Sequence, residues 1–523
     1  MRGRGGIGRR WRLKIFCPWR AGSSPAVRTI GAREAPGRRA PAVTALALLA
    51  LAATASCGRR PDVGAVIVSV IGGTPDLAAR DRADLSPPDR LLTDSLAEGL
   101  VRFDASGQIE PGSAERWIVT DNGMSYIFRL RRAEWADGAP VRAAEVVALL
   151  RRQIASGSGN PLTPYLSAIT GIVEMTPEVI EVELSRPRPD LLKLFAQPEM
   201  AVVRARPRAG AGPFRRRDLG DGAILLTPAP DPDRDPDEDG PAPEDNVRLR
   251  GERAATAILR FVERSSDMVT GGTLSDWPIV QAAGTGPANI RIDPAAGLAG
   301  LAVARRTGFL ADPADRAALA QAFDRADIGN SVSPDWAMRE TILPEQLDSA
   351  SAPALPAWSL VPPDQRVAAA QARVAAWRAT NGVPRVTVAL PGGPGGTLLW
   401  GRIARDLIAI GVRPVRVPLD AADADLVWID RVAPYDSARW YLAEACVACS
   451  DVARAAIEAA RLAPTLDDRA RAIAAADAAM AADVAFIPFA RPFRWSLVAL
   501  RLRQWQGNAR AWHPLNRLRA DTN

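Results

Sequence analysis

Four cysteines and one histidine bound the chemistry open to this chain of 523 residues. Cys446 and Cys449 form a C-x-x-C pair, followed by Ser450, a residue type that caps helices. Such a pair can close a local disulfide, act as a redox couple at a helix N-terminus, or supply two metal ligands. A structural zinc site needs about four ligands, and the single histidine, His513, sits far along the chain between Trp512 and Pro514. A Ser-His-Asp hydrolase would have to rest on the same residue. An aromatic-rich contact is the simpler expectation for His513. Asp235, Asp237, Asp239 and Gly240 occupy positions one, three, five and six of a calcium loop. Asn246 replaces the bidentate Glu of position twelve and Pro236 intrudes. A solvated acidic loop over 231–245 is therefore expected, because prolines and self-repelling carboxylates resist packing. The run 391–396 (PGGPGG) lacks the Gly-Lys-Ser/Thr of a phosphate-binding loop. The helix behind it could hold a carboxylate on its free N–H groups if it faced a cleft. No paired-carboxylate motif stands out, and no enzyme, cofactor or metal site is expected.

The start of the chain reads as an address. Thr44 to Ser56 (TALALLALAATAS) is an unbroken apolar and small-residue run, preceded by Arg38 and Arg39 and followed by Cys57-Gly58. A basic flank, a short apolar stretch and small residues before a cleavage point describe a secretory signal. The run is shorter than the roughly 20 residues that span a bilayer. Cys57 directly after Ala55-Ser56 is similar to a bacterial lipobox, in which the thiol is acylated and anchors the mature protein. Residues 1 to 40 are Arg- and Gly-rich without apolar periodicity and read as an over-extended gene start; 1–57 are set aside as leader and lipoprotein signal segment. Residues 1–56 hold eleven of the 66 basic side chains and one of the 59 acids, so the remainder carries 55 against 58, net −3. The high overall pI belongs to the leader, and nucleic-acid binding is excluded with it. The rest is too long for a single core and requires two or three domains.

The most informative stretch is 114–147. Asp121-Asn122-Gly123 makes a turn, because Asn and Gly tolerate positive φ. Tyr126, Phe128 and Leu130 alternate with Ile127, Arg129 and Arg131 as a half-buried strand. Asp137-Gly138 makes a second turn, Pro140 fixes the approach, and Ala143 to Ile154 reads as a helix. Together Ala114, Glu115, Trp117, Asp121, Gly123, Tyr126, Phe128, Leu130, Arg131, Trp135, Asp137, Gly138, Pro140, Val141, Ala143 and Val146 resemble the signature of peptide/nickel-class (family 5) extracytoplasmic solute-binding proteins of ABC importers. Arg142 stands where that family has a Ser or Thr cap, and Glu145 replaces its Asp. The signature specifies scaffold rather than ligand.

Other segments carry the same resemblance. Val63 to Ile71 is a β-branched strand ending in Gly72-Gly73-Thr74-Pro75, similar to the family's loop at the cleft; Gly72 and Thr74 are expected there. Leu91 to Val101 reads as helix, and Gly210 to Phe214 as the family's glycine turn. Arg316 to Ile328 reads as one amphipathic helix matching the family at Arg316, Ala318, Leu319, Ala322, Asp324, Arg325 and Ile328. Val386 to Leu390 is a strand and Leu398 to Ile410 a helix. In Asp425 to Pro434 the resemblance places Asp430, on a loop beside Trp428, where peptide-binding members pair an Asp with the ligand's ammonium group. Leu466 to Ala482 is a helix capped by Thr465, and Phe486 to Phe489 a returning strand.

The resemblance implies an α/β, bilobal periplasmic-binding-protein fold with an extra subdomain and a hinge. Lobe one is expected at 58–92, 204–292 and 486–523, the subdomain at 93–203, and lobe two at 293–485. It implies capture of a peptide-like solute between the lobes and delivery to ABC permease subunits with their ATPase, from an extracytoplasmic, lipid-anchored position at the membrane. A metal chelate, haem or oligosaccharide as solute, or a surface lipoprotein that no longer transports, are the alternatives. The site expected is Asp430, Trp428, Gly72 and Thr74, with Cys57 lipidated and Cys446–Cys449 the disulfide candidate.

Overall fold

The computed structural model describes residues 64–78, 85–206, 208–230 and 241–519. Cys57 and the calcium-like Asp235, Asp237 and Asp239 lie outside them. The chain divides into units Met1–Pro61 and Asp62–Asn523, and the following concerns the second.

Three sheets organise it. The first has seven strands, in the order Phe214–Asp218, Ala223–Pro228, Val247–Glu252, Val66–Ile71, Met268–Thr273, Arg494–Val498, Ile290–Ile292. Val66–Ile71 runs parallel to both neighbours, and Val66, Val68 and Val70 are buried with Ser69, as a parallel strand covered on both faces requires. The second sheet has five strands, in the order Arg413–Pro418, Arg385–Leu390, Leu426–Val432, Gly297–Val303, Phe486–Ala490. Every residue of Gly297–Val303 is buried. The third, in the extra subdomain, is a four-stranded antiparallel sheet, Ala114–Thr120, Ser125–Leu130, Val179–Leu184, Ile169–Thr176.

In the subdomain, the turn at Asp121–Gly123 carries φ of 55° at Asn122 and 85° at Gly123. Tyr126, Phe128 and Leu130 point into the core. The helix Ala143–Ile154 begins after Arg142 with no side-chain cap. Glu145 does other work: Trp135 Nε1 donates to its Oε2 at 3.0 Å and Arg204 Nε to its Oε1 at 2.6 Å. Arg204 also reaches Asp137 Oδ2 at 2.9 Å. The Trp-Asp-Gly motif thus fastens the subdomain to the hairpin Val203–Ala205/Arg208–Gly210.

Three expectations need correction. The strand Phe486–Ala490 belongs to the second lobe's sheet, pairing with Gly297–Val303. A Cβ at Gly300 would come within 2.4 Å of Ile487 O, so glycine permits this close pairing. The chain rejoins the first sheet at Arg494–Val498. The helix of 316–328 is two, Pro313–Ala322 and Arg325–Val332. The break falls at Phe323-Asp324, where Asp324 accepts from Asp327 N and caps the second helix. The helix predicted over 91–101 is Pro87–Leu96, because 101–103 pairs as a strand with Ile109–Pro111.

Elsewhere Thr465 caps Leu466–Asp483 and Ser450 caps Asp451–Leu462. Cys446 and Cys449 are disulfide-bonded with Cα atoms 5.0 Å apart, between the helices Ala438–Ala445 and Asp451–Leu462. No helix among the described residues is long and apolar enough to cross a membrane.

Candidate solute-binding cleft

A cavity of about 450 Å³ opens where the two lobes and the subdomain meet, within the range of roughly 300–1,000 Å³ typical of small-ligand sites. Lobe one contributes Val70, Arg90, Thr270 and Gly271 from the ends of its parallel strands and the helix beside them. The subdomain contributes Phe103, Leu162, Tyr165 and Glu199. Lobe two contributes Asp430 to Pro434 with Trp440 and Glu444, and the C-terminal tail adds Trp512 and His513. Ends of parallel strands are the usual place for ligands in open α/β sheets.

The charged groups of the wall are arranged in pairs across the seams. Arg494 NH1 donates to Asp430 Oδ1 and Oδ2 at 2.8 and 2.9 Å, and its NH2 donates to Asp430 O at 3.0 Å. Burial pushes the Asp430 carboxyl above the usual range, and Arg494 opposes that shift. Arg90 bonds Glu199 and lies over the Trp512 ring at 5.5 Å. Tyr165 OH donates to Glu444 Oε1 at 2.8 Å, and Arg431 NH1 lies 3.2 Å from Glu444 Oε2. Burial, then the Glu444 carboxylate, hold the Tyr165 phenol protonated, so it acts as a donor across the subdomain–lobe two seam. Gln197 Nε2 donates to Pro434 O at 2.7 Å across the same seam.

Of the residues expected from sequence, Asp430 lines the cavity, from inside the strand Leu426–Val432 rather than from a loop. Trp428 does not line it. It lies two residues deeper on the same strand face, 4 % exposed, with its ring 5.7 Å from that of Phe489 in the lobe-two core. Gly72 and Thr74 are exposed and absent from the lining. Gly72 N is bonded to Glu252 O at 2.9 Å, and the neighbouring strand end at Thr270, Gly271 and Thr273 takes the place expected of them. The glycine run 391–396 does not present a helix N-terminus to the cleft. A Cβ at Gly395 would fall 1.8 Å from Leu274 O and one at Gly393 2.8 Å from Ser275 O, so these two glycines let the helix Gly393–Ala409 dock on the backbone of lobe one.

Sequence reasoning missed Arg90, Glu199, Glu444, Arg494 and Arg510. Glu199 and Glu444 are charges inside otherwise apolar runs, which was the available signal; Arg90, Arg494 and Arg510 stand near other polar residues and carried none. His513 was read as a contact, and its ring does stack 4.7 Å from Trp505 with Nε2 3.1 Å from Asp293 Oδ2. It also reaches the cavity wall, because Asp293 lies at the crossing between lobes. Among the described residues no group of acids, histidines and cysteines could hold a metal ion.

The model of bacterial extracellular solute-binding proteins, family 5, matches residues 108–396, more than half of the chain. The chain belongs to that family. The probable deoxycholate-binding periplasmic protein YgiS of Escherichia coli is 32% identical over 126 residues, 21% of this chain and 24% of that protein. The periplasmic oligopeptide-binding protein OppA of Escherichia coli is 30% identical over 160 residues, 27% and 29% respectively. The chain thus spans only about a quarter of the length of these relatives. The crystal structure of Haemophilus influenzae OppA complexed with RPPGFSPFR superposes with a TM-score of 0.72 at 16% identity, over 87% of this chain and 98% of that one. At that identity the likeness establishes the bilobal periplasmic-binding-protein fold of this family 5 member.

Proposed function

We propose that this protein is the solute-binding component of an ABC importer, capturing a peptide-like solute between its lobes and presenting the closed form to a membrane permease with its ATPase. The observation that carries the reading is a cavity walled by both lobes and the subdomain, with charged pairs on every seam. A solute there contacts all three bodies only when they are together, so it favours the closed population. The peptide assignment draws on the relatives' names, OppA above all, and on Asp430. Its carboxylate oxygens retain lone pairs beyond those used by Arg494 and can accept from a ligand's ammonium group. The reading makes the protein a binder rather than a catalyst. Native mass spectrometry of the protein as purified tests it: a retained peptide mass supports it, whereas a retained bile acid, chelate or sugar would replace the peptide assignment.

The same proposal places the protein outside the cytoplasm, tethered through Cys57. Palmitate supplied to cells is expected to label the wild type and not Cys57→Ser. Equal labelling of the two would remove the anchor from the account.

A further inference from the structure

The C-terminal tail carries the chain's one histidine to the wall of the cleft. His513 is 6 % exposed, and its ring lies against that of Trp505 with centroids 4.7 Å apart. Its Nε2 is 3.1 Å from Asp293 Oδ2, while Asp293 Oδ1 accepts from Asn508 N at 3.0 Å. Asp293 stands on the crossing from Ile290–Ile292, in the sheet of lobe one, to Gly297–Val303, in that of lobe two. The loop before the ring is knotted on Asn508. The Nδ2 of that residue donates to Trp512 O at 2.8 Å and to Ala105 O at 3.2 Å, and its Oδ1 accepts from Arg510 N at 3.0 Å. The imidazole is thus fixed before any solute arrives, and a contact made by it costs little further ordering.

A carboxylate only accepts, so Nε2 bears the hydrogen in the neutral ring as well as in the imidazolium. The nitrogen whose character changes is Nδ1, a lone pair in the neutral ring and an N–H donor in the charged one. Nδ1 has no hydrogen-bond partner among the described residues and is not one of the polar atoms sealed from solvent. With His513 on the cavity wall, that nitrogen is open to the cavity. We propose that His513 is a specificity-determining residue of the cleft, its Nδ1 accepting a hydrogen bond from an amide N–H of the solute while Asp293 holds Nε2. The inference rests on the peptide reading of the cleft and adds a second contact to the ammonium group at Asp430. Protonation of the ring sets a donor against the solute's N–H, so a peptide binds less well as pH falls. The charges about the ring are Asp293, Arg291 at 5.9 Å over the Trp505 ring, and Arg510, which pairs with Asp436. The cavity wall also holds the pairs Arg494–Asp430, Arg90–Glu199 and Arg431–Glu444. Asp94, on the helix Pro87–Leu96 beside Trp512, is a second group that changes charge near neutrality, since burial raises its carboxyl to about 7.

Because the chain holds one histidine, untagged protein grown on ring-labelled histidine gives imidazole nitrogen NMR signals that need no assignment among residues. The neutral ring is expected to carry its hydrogen on Nε2. Saturation with trialanine or penta-alanine should move the Nδ1 signal toward that of a hydrogen-bonded nitrogen. His513→Gln sets an amide N–H near the former Nε2, which keeps Asp293 paired, and removes Nδ1. By calorimetry the variant should bind these peptides roughly tenfold more weakly. The wild type's loss of affinity from about pH 7 to about pH 5 should disappear with it. A loss that persists in the variant belongs to Asp94 and overturns the proposal, as does a hydrogen on Nδ1 of the neutral ring. A peptide that binds with the Nδ1 signal unmoved, or equally to both proteins, overturns the inference and leaves the peptide reading intact. Failure of both peptides to bind the wild type removes the peptide reading and this contact together. The wild-type spectra decide the matter should the variant fail to fold.

Discussion

Asp430→Ala is expected to weaken a bound peptide roughly thirty-fold or more. The ligand's ammonium group loses water as the lobes close, and a desolvated charge needs a partner. Asp430 is a half-buried carboxylate of the lobe-two wall, its side chain 18% exposed. Truncating one member of a buried, hydrogen-bonded charge pair costs about 2–5 kcal/mol, and about 1.4 kcal/mol is tenfold in affinity. The variant also leaves Arg494 without its counter-charge, since NH1 loses both carboxylate oxygens while NH2 keeps the carbonyl of residue 430. That leaves a cation where the ammonium would sit, so the loss should lie toward the upper end. An N-acetylated form of the same peptide should bind poorly to the wild type and lose little further. Calorimetry showing both peptides bound equally by Asp430→Ala and wild type would reduce Asp430 to the partner of Arg494 alone.

Asp483→Ala is expected to lower the free energy of unfolding by about 3–5 kcal/mol, the range for breaking a buried ion pair. Arg316 is fully buried, and its NH2 meets Asp483 Oδ1 at 2.8 Å. The same carboxylate accepts from Arg306 NH1 at 2.7 Å and Ser450 N at 2.8 Å. Its removal leaves the buried Arg316 with carbonyl acceptors but no counter-charge, takes the carboxylate from Arg306, and frees Ser450 N in the turn that follows the disulfide. Burial, then Arg306, already lower the proton affinity of Arg316. Replacing both partners with apolar residues, Arg316→Met with Asp483→Leu, should recover much of the loss. Equilibrium denaturant unfolding checks both. A loss within about 0.5 kcal/mol, as at an ordinary surface position, would show that the pair does not hold this corner.

The sequence was legible wherever local pattern and burial agree. Tyr126, Phe128 and Leu130 alternate because one face of their strand is core, and Thr465 and Ser450 cap helices because their hydroxyls take the first free N–H groups. It was misleading where partners far along the chain decide. Phe486–Ala490 reads as a strand, but its pairing with Ala299–Ala302, nearly 190 positions earlier and permitted by Gly300, sets the sheet it joins. The break between Ala322 and Arg325 follows from Asp324 taking up Asp327 N, which a run of helix formers conceals. The site was the least legible part. Asp430 came from resemblance; Trp428, on the same strand face, was drawn into the core by Phe489. Glycines that resembled an anion loop, Gly393 and Gly395, are packing devices against Ser275 and Leu274. Arg90, Glu199, Glu444 and Arg494 converge from four separate stretches, and no spacing in the sequence records that convergence.

Solution scattering with and without the solute that copurifies, read beside thermal melting, tests the central claim most directly. If a solute closes the lobes upon itself, the radius of gyration falls on saturation, and the melting temperature rises with the logarithm of solute concentration. A solute that raises the melting temperature while leaving the radius of gyration unchanged would contradict capture by closure.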